Sequence, residues 1–433
     1  MNQFVFTSKQ KTVLGSFMAL GVVCLLLTMF FFDDALHTRF WTNYLHNSVF
    51  FTGIAFISLF IITAFTTALA GWYTVFKRIL EAYTLFLIPG LVLLAFVAIG
   101  IWGHWHHLYH WADTSLLDPT KPEYDTIIAG KSGFLNKNWY TFGTFIIVGL
   151  WIFFALKVRS LSLSEDATGT TDYDHHRRLR IWSAAFLPIA GFSSAAIIWQ
   201  WVMSIDAHWY STLFAWYTAA SWFVSAIALT ILAIIYLKSL GYLEKVTAEH
   251  LHDLGKYMFA ISIFWTYLWF SQYMLIWYGN IGEETIYYRH RIDNYQALFI
   301  GNLIMNFVLP FLILMRNDTK RKYGTLVLVS IIVFFGHWWD FFQMIKPGAY
   351  QTAQEALAHH AGAAAHATEG AHEAGHHAAS SIVMGFTIPG LLEIGTMLGF
   401  LAFFIYFAFS RMAKAPLQPV NDPYLAESLQ HHT

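Results

Sequence analysis

Apolar residues fall along this chain in ten long unbroken blocks separated by polar stretches. The blocks lie at about 12–31, 47–73, 82–102, 139–156, 181–203, 212–237, 256–278, 294–315, 324–345 and 384–410. Each is long enough for a helix to cross roughly 30 Å of hydrocarbon. Apolar and polar residues do not alternate within a block, and an open sheet would leave backbone groups unpaired in lipid, so strands are excluded. The pattern predicts an all-α integral membrane protein, about ten transmembrane helices in one polytopic domain over 1–410. Two connections are long. Residues 103–138 form an outer loop that opens with His104, His106, His107 and His110. Residues 346–383 form an Ala/His-rich outer loop, from His359-His360 to His376-His377, read as a solvated lid or docking segment. Residues 411–433 carry three prolines and read as an extended cytoplasmic tail. Lys9 and Lys11 precede an apolar run with neither a cap nor a cleavage pattern, which predicts a retained first span.

Charge then orients the helices. Ten spans put both termini on one side of the bilayer. Of the 25 Lys and Arg residues, 18 fall on that side and 7 on the other. The positive-inside bias therefore predicts cytoplasmic termini. Composition supports the membrane reading: 57% of the 433 residues are hydrophobic and only 12% charged, against about a quarter charged in a soluble domain. A net charge of −1 argues against a nucleic-acid partner. The single cysteine, Cys24, excludes an intrachain disulfide, a cysteine-held iron–sulfur cluster and a c-type haem attachment on this chain.

The candidate chemistry gathers at the outer ends of the spans. The stretch 199–217 turns tightly between spans 5 and 6 and carries Asp206 and His208 among Trp and Tyr. A carboxylate and an imidazole beside hydrocarbon cost free energy unless paired or facing a wet cavity, so they read as a proton-handling pair. Span 3 ends in the cluster of His104, His106, His107 and His110. Span 7 carries Gln272 and ends at Glu283 and Glu284. Span 9 carries His337 and Asp340, three apart on one helical face, and span 10 carries Glu393. His106, His110 and Asp113 have the spacing of nitrogen and oxygen metal ligands, but no metal is assigned. Haem is not expected here, since His337 is the one histidine deep in a predicted span. Proton chemistry on an apolar substrate remains. A quinol losing two electrons also loses two protons, and it needs nearby acceptors and an aromatic cleft open to lipid.

Residues 201–217, with His252-Asp-Leu-Gly-Lys256 and 264–284, resemble the alternative complex III family, in particular its F-type polytopic subunit. That subunit is similar to the membrane anchors of polysulfide reductases, the NrfD-like family. Ala207 stands where the family pattern has Pro. The resemblance implies two four-helix bundles plus a peripheral helix pair, in a bacterial inner-membrane quinol:electron-acceptor oxidoreductase. It implies quinone or quinol (menaquinone or ubiquinone) as ligand, with haem and iron–sulfur clusters on partner subunits. The implied partners are those subunits, a related polytopic subunit, lipid and a terminal oxidase. On this reading Asp206 and His208 are catalytic. His104, His107, Gln272, Glu283, Glu284, His337, Asp340 and Glu393 line a quinone or proton path. The residues leave two alternatives open: a stand-alone ion or solute transporter, and a structural anchor for redox subunits.

Overall fold

The computed structural model describes residues 3–168, 173–365 and 383–431. Among them, ten helices are long and apolar enough to span a membrane. They are α1 (Ser8–Phe31), α2 (Thr38–Thr67), α3 (Thr74–Trp102), α4 (Lys137–Thr168), α5 (Tyr173–Trp201), α6 (Leu213–Ser239), α7 (Ala248–Gly279), α8 (Gln296–Leu314), α9 (Tyr323–Ala365) and α10 (Leu391–Met412). The one extended pairing among the described residues is an isolated bridge, Met384 with Ile388. The protein is thus an all-α, multi-pass membrane protein. Helices α2–α5 pack as one four-helix bundle and α6–α9 as a second, while α1 lies along α10 as a peripheral pair.

Helix α2 is the pillar between the bundles, touching α7's neighbour α6 as well as α9. It is buried along nearly its whole length and carries many small polar residues. These satisfy themselves locally: Thr42, Ser58 and Thr63 return their hydroxyls to carbonyls one turn back. At Gly53 the α2 backbone meets the face of Trp222 from α6; a Cβ there would sit 1.8 Å from the indole. Trp222 is fully buried and has nowhere to move. Gly53→Val should therefore overpack the bundle interface and destabilise the detergent-solubilised protein by about 1–3 kcal/mol or more. Gly149→Ala in α4, where a Cβ meets nothing, is the control and should be neutral or stabilising. Equal denaturant midpoints for the two variants would contradict this packing.

Four boundaries differ from the sequence reading, each for a physical reason. The first helix does have a cap: Thr7 and Gln10 form a reciprocal capping box. Helix α2 starts at Thr38, nine residues before the apolar block. Arg39, Asn43, His46 and Asn47 are helical because they are buried against partners, not in lipid. Helix α9 does not stop at Lys346-Pro347-Gly348 but continues to Ala365, so the outer loop expected from 346 begins as helix. The rest of the Ala/His-rich stretch, 366–382, lies outside the described residues, as do the side chains of His359 and His360. The tail folds back instead of extending freely. Asp422 pairs with Lys77, Ser428 bonds Val75 and Trp72, and His431 lies 2.6 Å from Asp253.

Candidate functional site

The hairpin between α5 and α6 closes by a short 3-10 turn, Met203–Ile205, and leaves Asp206 partly buried at its tip. Asp206 is not paired with His208. Its carboxylate accepts from Arg291 Nη2 at 2.9 Å. Arg291 comes from the helix Gly282–Asn294, which joins α7 to α8, and it is fully buried. Burial opposes the guanidinium charge, but the neighbouring Asp206 carboxylate outweighs it, so the arginine's pKa is raised. Its side chain also lies flat on Tyr287, 3.4 Å from the ring centroid, and Tyr287 in turn stacks on Trp209 at 3.8 Å.

Pro347 and Gly348 explain how this pair is accommodated. A proline inside a helix leaves the carbonyl four residues back without its donor. Here that carbonyl is Gln343, and Arg291 Nε donates to it at 3.3 Å. Arg291 Nη2 also reaches the Met344 carbonyl at 3.4 Å. A Cβ on Gly348 would lie 2.7 Å from the Asp206 carboxylate, so only glycine lets the acid approach. The Pro-Gly step that reads as a stop signal is therefore a socket for Asp206 and Arg291.

A cavity of about 150 Å³ opens beside this pair, lined by His110, Asp206, His208, Glu283, His290, Arg291 and Glu355. His208 is exposed and bonds Asp125 at 2.6 Å. Burial alone would raise the Asp125 pKa; the bonds from His208, Ile128 and Ile127 hold it below the usual carboxylate value. His290 has a lowered pKa, from burial and then from the adjacent Arg291, and its Nε2 is buried without a partner. Burial also lowers His110. The cavity thus presents imidazoles biased toward the neutral, proton-accepting form. On the far side of Ala207 and Trp209 lies a second, apolar cavity of about 370 Å³, lined by Phe134, Trp199, Trp209 and Tyr210. The indole N–H groups of Trp199 and Trp209 are buried there without acceptors.

Deeper in the second bundle, Asp340 of α9 is fully buried. Its carboxylate accepts from Tyr217 of α6, from Trp265 of α7 at 3.0 Å and from Asn302 of α8 at 2.7 Å. No cation among the described residues pairs with it. Asn306 continues the line, donating to Asn302 at 2.6 Å and to the Gly336 carbonyl at 2.9 Å. Around Asn306 helix α8 widens into a π turn, Ile304–Val308, just before Pro310. His337, also fully buried, bonds Ser221 at 3.0 Å. Tyr287 lies against Arg291 at the cavity, and Tyr217 bonds Asp340 deeper in the bundle. The second bundle thus carries two polar clusters, one of Asp206 and Arg291 at the cavity and one around Asp340 in its interior.

The other sequence candidates lie elsewhere. Glu393 sits in the first turn of α10, gripped by Arg39 at 2.8 and 2.9 Å and by Asn43 at 3.0 Å. Lys346 lies near it, fully buried, with Nζ 2.7 Å from the Thr42 hydroxyl. His104 is exposed near Lys137, and exposed His107 lines a cavity of about 850 Å³. Gln272 is buried and donates to its own helix at the Leu268 carbonyl. Glu283 and Glu284 occupy the first turn of Gly282–Asn294, where the helix dipole favours acids. His106 packs against Trp41 with the rings tilted and bonds the Val97 carbonyl, while Asp113 caps a 3-10 turn. His106, His110 and Asp113 therefore do not gather as metal ligands. The trio that does gather among the described residues is Glu165, His176 and Asp422, and Lys77 already supplies a cation there, 3.5 Å from Glu165 and bonded to Asp422. A second deep histidine, His46 in α2, escaped the sequence reading; it bonds the Trp338 carbonyl at 2.9 Å.

Comparison with protein-family models gives no match, and comparison with curated proteins gives no related sequence.

Proposed function

We propose that this chain is an integral subunit of a bacterial inner-membrane quinol-oxidising complex of the alternative complex III type, with cytoplasmic termini. It handles quinone or protons at the end that carries Asp206. The observation that carries this reading is the fully buried Asp340 carboxylate, held by three donors and with no cation pairing with it among the described residues, in the bundle that also bears the Asp206 cavity. Intramembrane ionisable groups are expensive to bury and mark proton or ion pathways. The adjoining apolar cavity, lined by Phe134, Trp199, Trp209 and Tyr210, suits a quinone ring. Released protons would pass to the imidazoles of the neighbouring cavity. Haem and iron–sulfur centres belong, on this reading, to partner subunits.

The test is purification from native membranes in mild detergent through a tag on this chain. Partners showing a haem Soret band and iron–sulfur signals, with quinol:acceptor turnover in the eluate, are expected. A chain that purifies alone, without that turnover, would remove the proposal. One observation favours a second reading as an ion transporter: the π turn and Pro310 of α8 break the helix beside Asn302, Asn306 and Asp340, as in discontinuous transporter helices. Ion flux into liposomes by the purified chain alone would support it.

Acid dependence gives a further check. His290 and His110 have lowered pKa values, so both are neutral acceptors at pH 7 and gain protons only below the ordinary histidine value of 6.5. Turnover should therefore fall as pH drops below about 6.5 and not as it rises above 7. His290→Asn should lower turnover and shift that acid limb; an unchanged profile would take His290 out of the path.

A further inference from the structure

At the end of the molecule that carries the termini, the peripheral pair packs on α3 through Phe404 and on α6 through Phe409 and Tyr236, but leaves a gap beside them. A cleft of about 780 Å³ remains between α1, α6 and α10, with Tyr83 of α3 at its inner end. This is about twice the volume of the apolar cavity beside Trp199. Its size falls within the range of clefts that hold organic ligands. Its walls are apolar, from Leu229, Ala233, Leu401 and Ile405 with the rings of Phe334 and Phe409. No Asp, Glu or His lines it, so it offers nothing to a substrate that must surrender protons.

The mouth is different. Lys9 is exposed in the first turn of α1, the positive end of that helix dipole. Lys11 stands two residues on, its Nζ 5.3 Å from the Phe6 ring centroid. The Tyr236 hydroxyl accepts from Gln10 Nε2 at 2.9 Å, and the Tyr242 hydroxyl accepts from the Val5 N–H at 3.2 Å. Each hydroxyl oxygen is thus occupied as an acceptor, and each hydroxyl proton is left for an acceptor from outside the chain. Cationic and hydroxyl donors meet at the mouth of an apolar cleft. That combination matches an anionic headgroup carried on acyl chains.

We propose that this cleft binds an anionic glycerophospholipid, with its acyl chains between α1, α6 and α10 and its phosphate at Lys9, Tyr236 and Tyr242. The lipid fills the gap that the peripheral pair leaves, and so fastens that pair to the bundles. The site is separate from the Asp206 cavity and independent of the function proposed for it.

The test uses the full chain in nanodiscs of mixed phosphatidylglycerol and phosphatidylcholine, released for native mass spectrometry. The wild type is expected to keep phosphatidylglycerol in preference to phosphatidylcholine. Lys9→Glu should cut that preference at least about fivefold, the factor for one basic side chain at an anionic surface. Ala233→Trp fills the cleft and should abolish retention of either lipid while α1 stays docked. Thermal midpoint should rise with added phosphatidylglycerol in the wild type and not in Ala233→Trp, since a ligand stabilises only the state that binds it. Equal retention of the two lipids by the wild type would overturn the proposal, as would unchanged retention in a folded Ala233→Trp protein. Displacement of the lipid by an equal mole fraction of quinone would assign the cleft to quinone instead. Should Ala233→Trp misfold, the wild-type preference and Lys9→Glu decide alone.

Discussion

Replacing Asp340 by Asn should lower quinol:acceptor turnover by about 10²-fold or more while leaving the complex assembled, if Asp340 relays protons. Asn keeps the shape, and its carbonyl oxygen still accepts from Trp265 or Asn302, but it cannot take up and release a proton. Hydrocarbon burial opposes the charge on this carboxylate, and the three donors offset that cost. Asp340→Leu is the structural comparison. It strands the donors of Tyr217, Trp265 and Asn302 in the bundle interior, at about 1–3 kcal/mol for each group left unmade, and assembly should fail. The measurement is turnover per assembled complex, with assembly scored by co-purifying subunits. Wild-type turnover in Asp340→Asn would make Asp340 a packing residue and its bonds to Tyr217, Trp265 and Asn302 a set of helix–helix hydrogen bonds.

The number of helices was legible because ten apolar runs can satisfy their backbone in lipid only as helices. The bundle arrangement was legible only through the family resemblance, for periodicity does not say which helices touch. His337 and Asp340 were legible as a pair on one face of α9, and both are indeed buried in the second bundle. Their partners were not: Tyr217, Trp265 and Asn302 look like ordinary aromatics and an amide until three other helices bring them in. Arg291 was hidden for another reason. The helix Gly282–Asn294 reads as a polar loop, and the acid it meets lies 85 positions earlier. Arg39 hid the true start of α2, because an arginine looks like the end of a span unless its carboxylate, Glu393, is known. Local chemistry misled most at Lys346-Pro347-Gly348. A breaker in isolation became a socket once Arg291 supplied the missing donor. At Arg39, Arg291 and Lys346 a signal was present, namely a charged residue beside a span. Its partner depends on tertiary contacts.

That hidden pairing changes what Asp206 substitutions should do. With Asp206 and His208 as a free proton pair, Asp206→Asn would spare assembly and lower turnover. The structure instead makes Asp206 the counter-charge of a fully buried arginine. Asp206→Asn should therefore impair assembly, because removing one partner of a buried pair costs about 3–5 kcal/mol through the charge left behind. Arg291→Gln should be at least as damaging, since the Gln343 and Met344 carbonyls also lose their donor. The double variant should be less destabilised than the sum of the two, with a coupling of about 0.5–3 kcal/mol, because neither charge is then stranded. Gly348→Ala should mimic the loss of Asp206, as its Cβ occupies the space of the carboxylate. Denaturant midpoints in detergent across this set provide the measurement. Strict additivity, together with a stable but inactive Asp206→Asn, would reverse the assignment and return Asp206 to the role of proton acceptor. Near-additive, mild effects in all four would remove both roles.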